Sequence, residues 1–342
     1  MTLEQLHALP SFALLAPAYS GGEHWTLITG LSPDPQGPLL FLPFEGSIRE
    51  ARRFSGSPRS SPAPRFEPGP ALAVELNGSG YTAAVERIRE AIAQGDVYQV
   101  CLTLRAQVAG ATGAQLLSTL CTPAAPRFAA WVRLPDGTEF VSASPELLLQ
   151  RSGDRVTTEP MKGTARPGAQ GKLESSEKDR AELAMITDLV RNDLTPVCQP
   201  GSIRVVEPRR LVTLPYALQM VSVVEGRLEE GRTELDALEA LHPGGSVTGA
   251  PKQAARRMIA ALEPTPRGAY CGVLGWRATP KAATYALLIR TAERRGEAWT
   301  YGVGSGVVYD SGPAAEWEEL RIKLRALGDQ PVLVGPENPR SR

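Results

Sequence analysis

Hydrophobic and polar residues alternate along the chain with two periods, and each period predicts a different kind of element. Val85, Ile88 and Ile92 recur at helical spacing, which predicts a helix over residues 81–94 that ends at Gly95. The same periodicity predicts further helices over residues 177–194, 233–241, 251–262 and 313–327.

Short runs of aliphatic, aromatic and β-branched residues predict strands between the helices. Over residues 97–104, Tyr98 and Val100 face one side of the predicted strand while Gln99 and Cys101 face the other. Further strands are predicted over residues 128–134, 139–144, 147–151, 155–159, 268–276, 284–291 and 299–308. Tight turns such as Pro-Asp-Gly join neighbouring strands, so the sequence predicts an α+β fold with largely antiparallel sheets.

Two segments rich in proline, serine and glycine predict the boundaries of the main body. Residues 55–70 carry no periodic pattern and are predicted to form a loop that closes a short N-terminal segment, residues 1–70. Residues 328–342 have the same character and are predicted to form a loose tail. Residues 71–327 are therefore expected to form one large domain.

The charges cancel overall, because 37 lysine and arginine residues oppose 37 aspartate and glutamate residues among 342. This balance argues against a protein that binds nucleic acid or anionic membranes, since neutralising phosphates requires a basic excess. Six of the cations are lysines, at positions 162, 172, 178, 252, 281 and 323. Lysine, unlike arginine, can be tuned to act as a nucleophile or base, so each of these positions is a candidate for chemistry.

The cysteines and the apolar runs indicate a cytoplasmic protein. The four cysteines form no CxxC pair and no metal-ligand spacing, which is typical of thiols in a reducing cytosol. No apolar run approaches the length that spans a membrane, and the N-terminus lacks a basic and apolar targeting pattern. We therefore expect a cytoplasmic location and no membrane partner.

Two of the predicted helices each carry a pair of acidic residues three positions apart. Asp179 and Glu182 share a face of one helix. Glu316 and Glu319 share a face of another, with Lys323 one turn further. Oxygen ligands from two helices suit Mg²⁺, which keeps several waters and often binds an anionic substrate. Solvated acidic pairs are common on helices, so the spacing alone leaves both interpretations open.

Two glycine-rich segments and one lysine are further candidates. Residues 242–252, HPGGSVTGAPK, form a turn before a helix, where backbone amides can bind an anion, but they do not match a Walker loop. Residues 301–308 place glycines in a strand, which marks a bulge or lets a ligand approach the backbone. Lys162 follows a predicted strand in EPMKGTARPG, residues 159–168. Taken singly, these features also fit tight turns and a solvent-exposed lysine.

Seven segments in a fixed order resemble the chorismate-utilising enzymes: SASPELLL, EPMKGT, EKDRAELAMITDLVRNDL, HPGGSVTGAPK, AYCGVLGW, LLIRT and YGVGSGVVYDSGPAAEWEEL. That family includes anthranilate synthase component I, aminodeoxychorismate synthase component I, isochorismate synthase and salicylate synthase. The resemblance runs from about residue 80 to residue 327. It implies an anthranilate-synthase-like single large domain, in which antiparallel β-sheets pack as a sandwich with flanking helices.

Two positions indicate a branch of this family. Members that add water to chorismate usually carry a lysine where this sequence has Gln99, so the glutamine resembles the ammonia-using members. Anthranilate synthases typically have alanine where this sequence has Lys162, whereas aminodeoxychorismate synthases have lysine. The resemblance therefore implies conversion of chorismate and ammonia to 4-amino-4-deoxychorismate, for p-aminobenzoate and folate. Anthranilate synthase component I and a catalytically silent chorismate-binding subunit are the alternatives.

The resemblance also implies roles for individual residues. Lys162 would attack C2 of chorismate while Glu146 protonates the departing C4 hydroxyl. The implied Mg²⁺ ligands are Glu182 and Glu319 directly, and Asp179 and Glu316 through water. The implied substrate-binding positions are Gln99, Gly163, Thr164, Ser246, Thr248, Tyr270, Arg290, Gly304, Gly306 and Lys323. Among them, Tyr270 and Arg290 match groups that bind the enolpyruvyl carboxylate.

The sequence departs from the family pattern at three places. The family usually has Gly-Thr-Arg-Pro-Arg-Gly, whereas here Ala165 follows the threonine and Arg166 and Pro167 come one position later. Gln219 replaces a common histidine and cannot titrate, and Asp179 replaces a glutamate. No cysteine lies in the Gly-x-Cys-x-Gly setting of a glutaminase, so the resemblance implies a separate glutamine amidotransferase subunit that supplies ammonia.

Overall fold

The computed structural model describes residues 2–67, 72–122, 125–165, 168–214, 217–328 and 332–334. The α-helices in these ranges are α1 Leu3–His7, α2 Pro17–Ser20, α3 Tyr81–Ala93, α4 Gly113–Cys121, α5 Gln170–Ser175, α6 Glu177–Leu194, α7 Glu234–Leu241, α8 Gly245–Thr248, α9 Lys252–Leu262 and α10 Pro313–Leu324. Short 3₁₀ turns cover Ile48–Glu50 and Arg325–Leu327. None of the described helices is long and apolar enough to cross a membrane.

The strands belong to one hydrogen-bonded sheet. They are β1 Phe12–Leu15, β2 Trp25–Pro33, β3 Leu39–Leu42, β4 Arg52–Ser61, β5 Ala73–Asn77, β6 Gln99–Ala109, β7 Phe128–Arg133, β8 Glu139–Ser144, β9 Leu147–Ser152, β10 Arg155–Thr158, β11 Met161–Ala165, β12 Arg204–Leu214, β13 Ala217–Arg227, β14 Gly249–Ala250, β15 Val273–Thr279, β16 Ala282–Leu287, β17 Thr291–Arg295, β18 Ala298–Val307 and β19 Val332–Val334. Every described pairing is antiparallel except that of β5 with β19.

The sheet folds over on itself at β4. One end of β4 pairs with β2 and the other end pairs with β3, so two halves of the sheet face each other. Alternate residues of β1, β7 and β8 on one half pack against residues of β3, β15 and β16 on the other. At the centre of this interface, the rings of Phe41 and Phe140 stack with their centroids 4.9 Å apart. The predicted α+β fold with a sandwich of antiparallel strands is therefore confirmed.

The helices cover the outer face of the strands that carry the candidate residues. Helices α3 and α10 pack on each other, with the rings of Tyr81 and Trp317 5.7 Å apart, and α10 also packs on β18. Helix α9 lies on β6, while α6 lies on β11 and β13. This arrangement brings the acidic faces of α6 and α10 to the same end of the sheet.

The five helices predicted from periodicity are confirmed as α3, α6, α7, α9 and α10. The strand predicted over 284–291 is wrong as a single element, because the chain leaves the sheet after Leu287 and returns at Thr291. Between them Arg290 has φ 52°, a left-handed conformation that interrupts a strand. Strands β12 and β13 were not predicted, because charges, a proline and two register shifts hide the alternation of β12.

The loop predicted over residues 55–70 is wrong for its first part, because β4 extends to Ser61. Proline does not prevent this strand, since Pro58 pairs only with Ile28 of β2 and has no second neighbour that needs its missing N–H. The loose tail is likewise wrong for β19, which pairs with β5. Strands from both sides of residue 70 belong to the same sheet. The predicted domain boundaries at residues 70 and 327 stay a prediction.

A buried arginine joins three segments beneath the sheet. The side chain of Arg267 is 1% exposed and makes a two-pronged ion pair with Glu263. Its Nη1 donates to the backbone carbonyl of Val247, and Nη2, which also pairs with Glu263, donates to the carbonyl of Cys101. The guanidinium also lies 4.3 Å from the ring centroid of Phe44. Arg267 therefore fixes α8 and β6 relative to α9.

Replacing Arg267 with alanine should destabilise the protein strongly, because Glu263 and two carbonyls lose their partner in a buried position. We expect Arg267→Ala to lower the free energy of unfolding by about 3–5 kcal/mol. Urea unfolding measures this change. Arg321→Ala is the control, since its ion pair with Glu318 is exposed and should contribute less than about 1 kcal/mol. Equal losses in the two variants would contradict the expectation.

Candidate active site

Four elements meet at the start of β6. Gln99 Nε2 lies 3.4 Å from Glu182 Oε2, and Lys162 Nζ lies 3.9 Å from the same oxygen. Both nitrogen-bearing groups lie against β18 at Gly306, where an added Cβ would collide with Gln99 Nε2 and approach Lys162 Nζ to 3.1 Å. The glycine therefore leaves room for an amide and an amine beside a partly buried carboxylate.

The position of Lys162 follows from a bulge in β11. Lys162 pairs with Met220 of β13, and the register shifts between Lys162 and Thr164. Gly163 takes φ +72° at this bulge, and a Cβ there would lie 3.1 Å from Cβ of Asp179. Glycine is therefore needed both for the backbone conformation and for the close approach of α6 to β11.

Glu146 lies between β8 and β9 with a side chain that is only 4% exposed. Ser246 Oγ donates a hydrogen bond to its Oε1 at 2.7 Å. Burial raises the pKa of Glu146 to about 7, although the Ser246 hydrogen bond and the charge of Lys162 lower it in part. A carboxyl with this pKa carries a proton in a large fraction of molecules near neutral pH, which a general acid requires.

The carboxylates of α6 and α10 face different local charges. Burial raises the pKa of Glu182, and the cations Lys162 and Lys178 offset only part of this rise. Burial also acts on Glu319, but Lys323 Nζ lies 2.6 Å from its Oε1 and the pKa of Glu319 is lowered overall. Lys323 donates as well to the carbonyl of Gly304, which ties α10 to β18.

Glu316 and Lys178 complete the acidic cluster. Glu316 is 2% exposed, and its Oε1 accepts a hydrogen bond from Ser311 Oγ at 2.6 Å. Its Oε2 is buried and has no hydrogen-bond partner among the described residues. Lys178 Nζ lies 4.0 Å from Glu316 Oε1 and 3.9 Å from Glu182 Oε1. An ammonium group thus lies between the carboxylates of the two helices.

The chemistry of these donors suits a hard cation, but the ligands are not drawn together. All four predicted ligands offer carboxylate oxygens, and Glu316 Oε2 is a buried acceptor that lacks a donor. Within the described residues, no three acidic, histidine or cysteine side chains lie close enough to hold an ion. Lys178 supplies positive charge between α6 and α10 in this arrangement.

Tyr270 lies on the same face of β18 as Gln99, and Arg290 lies between β16 and β17. Arg290 has φ 52°, an uncommon conformation for a non-glycine residue, and burial lowers its pKa to about 10. Tyr270 is almost fully buried, and its ring occupies the position that a Cβ of Gly302 would take. The guanidinium of Arg105 lies 5.2 Å from the centroid of that ring. Gly302 therefore serves the packing of Tyr270.

The segment HPGGSVTGAPK divides into residues that face the candidate site and residues that support it. Ser246 contacts Glu146, as described above. Thr248 Oγ1 donates to the carbonyl of Gly244 within its own turn, so its proton is engaged locally. Lys252 Nζ lies 2.6 Å from Asp193 and also donates to two carbonyls at the end of α7. Lys252 is therefore a structural cross-link between α6, α7 and α9.

Some predicted positions stay predictions. Thr164 pairs with Gln219 across β11 and β13, so Gln219 lies opposite the residue that precedes the departure at Ala165. Arg166 and Pro167 lie outside the described residues. Lys178 was given no specific role by the sequence analysis, and Ser311 was not named. The spacing of four residues from Lys178 to Glu182 was the available signal for the first, and no sequence signal marked Ser311.

The fold and this arrangement define a known class of protein. The sequence pattern described as chorismate binding enzyme matches residues 45–329, and the chain belongs to this family. Among solved structures, anthranilate synthase component I from Streptococcus pneumoniae superimposes with a TM-score of 0.69 at 29% identity, covering 78% of this chain and 62% of the other. The putative 2,3-dihydroxybenzoate-specific isochorismate synthase from Bacillus anthracis shares the fold, with a TM-score of 0.79 at 23% identity over 95% of this chain and 98% of the other.

The curated relatives carry two names. Anthranilate synthase component 1 1 of Haloarcula marismortui is 40% identical over 71% of this chain and 51% of its own length. Aminodeoxychorismate synthase component 1 of Bacillus subtilis is 36% identical over 75% of this chain and 56% of its own length. The chain spans about half the length of these relatives. Sequence similarity thus supports a chorismate-utilising enzyme and leaves the choice between the two reactions to individual residues.

The raised pKa of Glu146 should make stability depend on pH. The folded state holds the proton more tightly than the unfolded chain, so this contribution is full below about pH 4.5 and is lost as pH rises through about 7. In the wild-type protein, the free energy of unfolding should fall by up to about 3 kcal/mol across this window because of Glu146. We expect Glu146→Gln to lack this fall, since glutamine does not titrate.

Urea unfolding at several pH values measures this difference. Ser246→Ala should move the upper end of the window to higher pH, because the hydrogen bond that lowers the pKa of Glu146 is removed. Identical pH profiles for the wild-type protein and Glu146→Gln would refute the assignment.

Proposed function

We propose that this protein is the chorismate-aminating component of an aminodeoxychorismate synthase, which forms 4-amino-4-deoxychorismate from chorismate and ammonia. The observation that carries the proposal is the position of Lys162, whose amine lies at the bare backbone of Gly306 beside Gln99 and Glu182. The relative of that name in Bacillus subtilis supports it. An alanine at position 162 would supply no nucleophile there.

The reaction divides into two substitutions with allylic shifts. The lone pair of the Lys162 amine forms a bond to C2 of the ring, both ring double bonds shift, and the C4 hydroxyl leaves as water with the proton of Glu146. Ammonia then forms a bond to C4, both double bonds shift back, the lysine amine leaves C2, and the surplus proton of the ammonia returns to Glu146. Glu146 suits the first step because burial raises its pKa to about 7, so that a large fraction of molecules carry this proton near neutral pH.

The other predicted residues bind and orient the substrate in this scheme. Arg290 and Tyr270 bind the enolpyruvyl carboxylate, for which a guanidinium offers paired donors. Glu182 and Glu319 would hold Mg²⁺, with Asp179 and Glu316 acting through water. When bound, the ion would attract the ring carboxylate and withdraw negative charge as the C4–O bond breaks.

Gln99 favours ammonia over water as the nucleophile. Its Oε1 is buried and has no hydrogen-bond partner among the described residues, so it can accept a hydrogen bond from an N–H group. An amide has no basic group that could take a proton from water. We further propose a cytoplasmic location, a role in p-aminobenzoate and folate formation, and a glutamine amidotransferase partner. The relatives named component 1 support a second subunit.

Anthranilate synthase component I is the second candidate. It is favoured by the 40% identical relative of that name in Haloarcula marismortui. Gln219, a buried residue of β13 where many members have histidine, also leaves open a silent chorismate-binding subunit. These candidates predict different products from the same substrate.

Product identification tests the proposal. The purified protein is incubated with chorismate, Mg²⁺ and an ammonium salt, with and without a lyase that converts 4-amino-4-deoxychorismate to p-aminobenzoate. We expect p-aminobenzoate only when the lyase is present, and its loss in Lys162→Ala because the covalent route is closed. Lys281→Ala, which changes an exposed lysine, is the control and should retain activity.

Two results would contradict this assignment. Anthranilate fluorescence from the wild-type protein without the lyase would favour the second candidate. Calorimetric binding of chorismate without any product, in the presence of Mg²⁺ and ammonia, would favour the silent subunit.

Gly306→Ala tests whether the two nitrogen-bearing groups must share the space at β18. The added methyl would displace Gln99 and Lys162, whose ends are flexible, so the fold should persist while activity falls by about a hundredfold. Steady-state kinetics and thermal unfolding measure the two effects. Gly312→Ala is the matched control, because nothing lies within 4 Å of its Cβ position. Equal activity in both variants would show that this contact has no catalytic consequence.

A further inference from the structure

A second cavity lies away from the candidate active site. It has a volume of about 560 Å³ and opens between the 3₁₀ turn at residues 48–50, the start of α7 and the strands β9 and β15. Arg151 lines it, five residues beyond Glu146, which corresponds to roughly 16 Å along an extended strand. The cavity is therefore distinct from the cluster around Lys162.

Arginine dominates the polar lining of this cavity. Glu234 is buried and pairs with two guanidinium groups, those of Arg151 at 2.6 Å and Arg277 at 3.8 Å. Arg53 also lines the cavity, and its Nε donates to the carbonyl of Gly37 at 3.0 Å. Its Nη2 is buried and has no hydrogen-bond partner among the described residues. Asp34 is a further source of negative charge near Arg53, with a weaker effect than Glu234.

Tyr285 is not among the residues that line the cavity, but it carries a second unsatisfied donor near the same group of charges. Its side chain is 1% exposed, and its hydroxyl has no partner in the described part of the chain. The charges of Glu234, Arg53 and Arg277 all act on this hydroxyl. The ring occupies the position that a Cβ of Gly275 would take, so packing against β15 fixes the direction of the phenol.

These features have an electrostatic cost that an anion would remove. Burial is the first cause that lowers the pKa of Arg53, and the charge of Arg277 is the second. A buried donor without an acceptor is also unfavourable. A negatively charged oxygen group would accept a hydrogen bond from Arg53 Nη2, would offer an acceptor to the nearby Tyr285 hydroxyl and would reduce the repulsion between the arginines.

We propose that this cavity binds a small organic oxyanion, with its carboxylate or phosphate group held by Arg53, Arg277 and the hydroxyl of Tyr285. The apolar body of the ligand would lie against Ile48 and Leu235, which line the same cavity. A volume of about 560 Å³ is within the range of small-molecule sites. This site is independent of the proposed function, because none of these residues belongs to the cluster around Lys162.

Isothermal titration calorimetry with the full chain tests the proposal. The probes are benzoate and inorganic phosphate, and sodium chloride at matched ionic strength is the reference. We expect saturable binding of at least one probe, and at least a tenfold loss of affinity in Arg53→Gln. Preference for benzoate would identify a carboxylate ligand with an apolar body, and preference for phosphate a phosphorylated one. Arg232→Gln, which changes an arginine paired with Asp236 at the surface, is the control.

Tyr285→Phe distinguishes a loss of anion binding from a loss of folding. Because the hydroxyl has no partner among the described residues, this variant should unfold at the same temperature as the wild type or higher, yet bind the anion less tightly. Absence of binding above the chloride reference would overturn the proposal. Binding that survives both Arg53→Gln and Tyr285→Phe, or that is lost in Arg290→Gln instead, would also overturn it.

Discussion

The antiparallel pairing of β6 with β18 is the constraint on which the candidate site depends. Nine residue pairs, from Val100 with Val307 to Val108 with Trp299, join segments that are about two hundred positions apart in sequence. This ladder puts Gln99 beside the bare backbone of Gly306 and brings α10 over the same end of the sheet. The buried Arg267 then holds β6 and α8 in place, and with α8 the serine that contacts Glu146.

In this geometry, burial and nearby cations have opposite effects on the pKa values of three carboxyl groups. Burial raises the pKa of Glu146 and of Glu182, while Lys162 opposes the rise at both carboxyls. Lys323 instead lowers the pKa of Glu319. The same group of residues therefore contains a carboxyl whose pKa is raised to about 7 and another whose pKa is lowered, so burial and nearby cations push the pKa values of these carboxyls apart.

The family shows that one scaffold supports several reactions of chorismate, so the fold alone does not select the product. The isochorismate synthase from Bacillus anthracis shares nearly the whole fold at 23% identity. Individual side chains must make the distinction, and in our proposal they are the amide at position 99 and the amine at position 162. The arginine-lined cavity beside α7 uses the same sheet on strands that those two residues do not occupy.

Local pattern determined the helices and the resemblance determined the family, because amphipathic periods and short motifs are written in neighbouring residues. The helix over 177–194 was predicted with its observed bounds, and Gln99, Lys162, Glu146 and Glu182 were all named as candidates. Tertiary structure alone decided that β4 pairs on two sides, that Lys252 and Thr248 serve the framework, and that Lys178 lies between two acidic helices. These facts depend on contacts between distant segments and on the removal of water from charged groups, and no local spacing encodes either one.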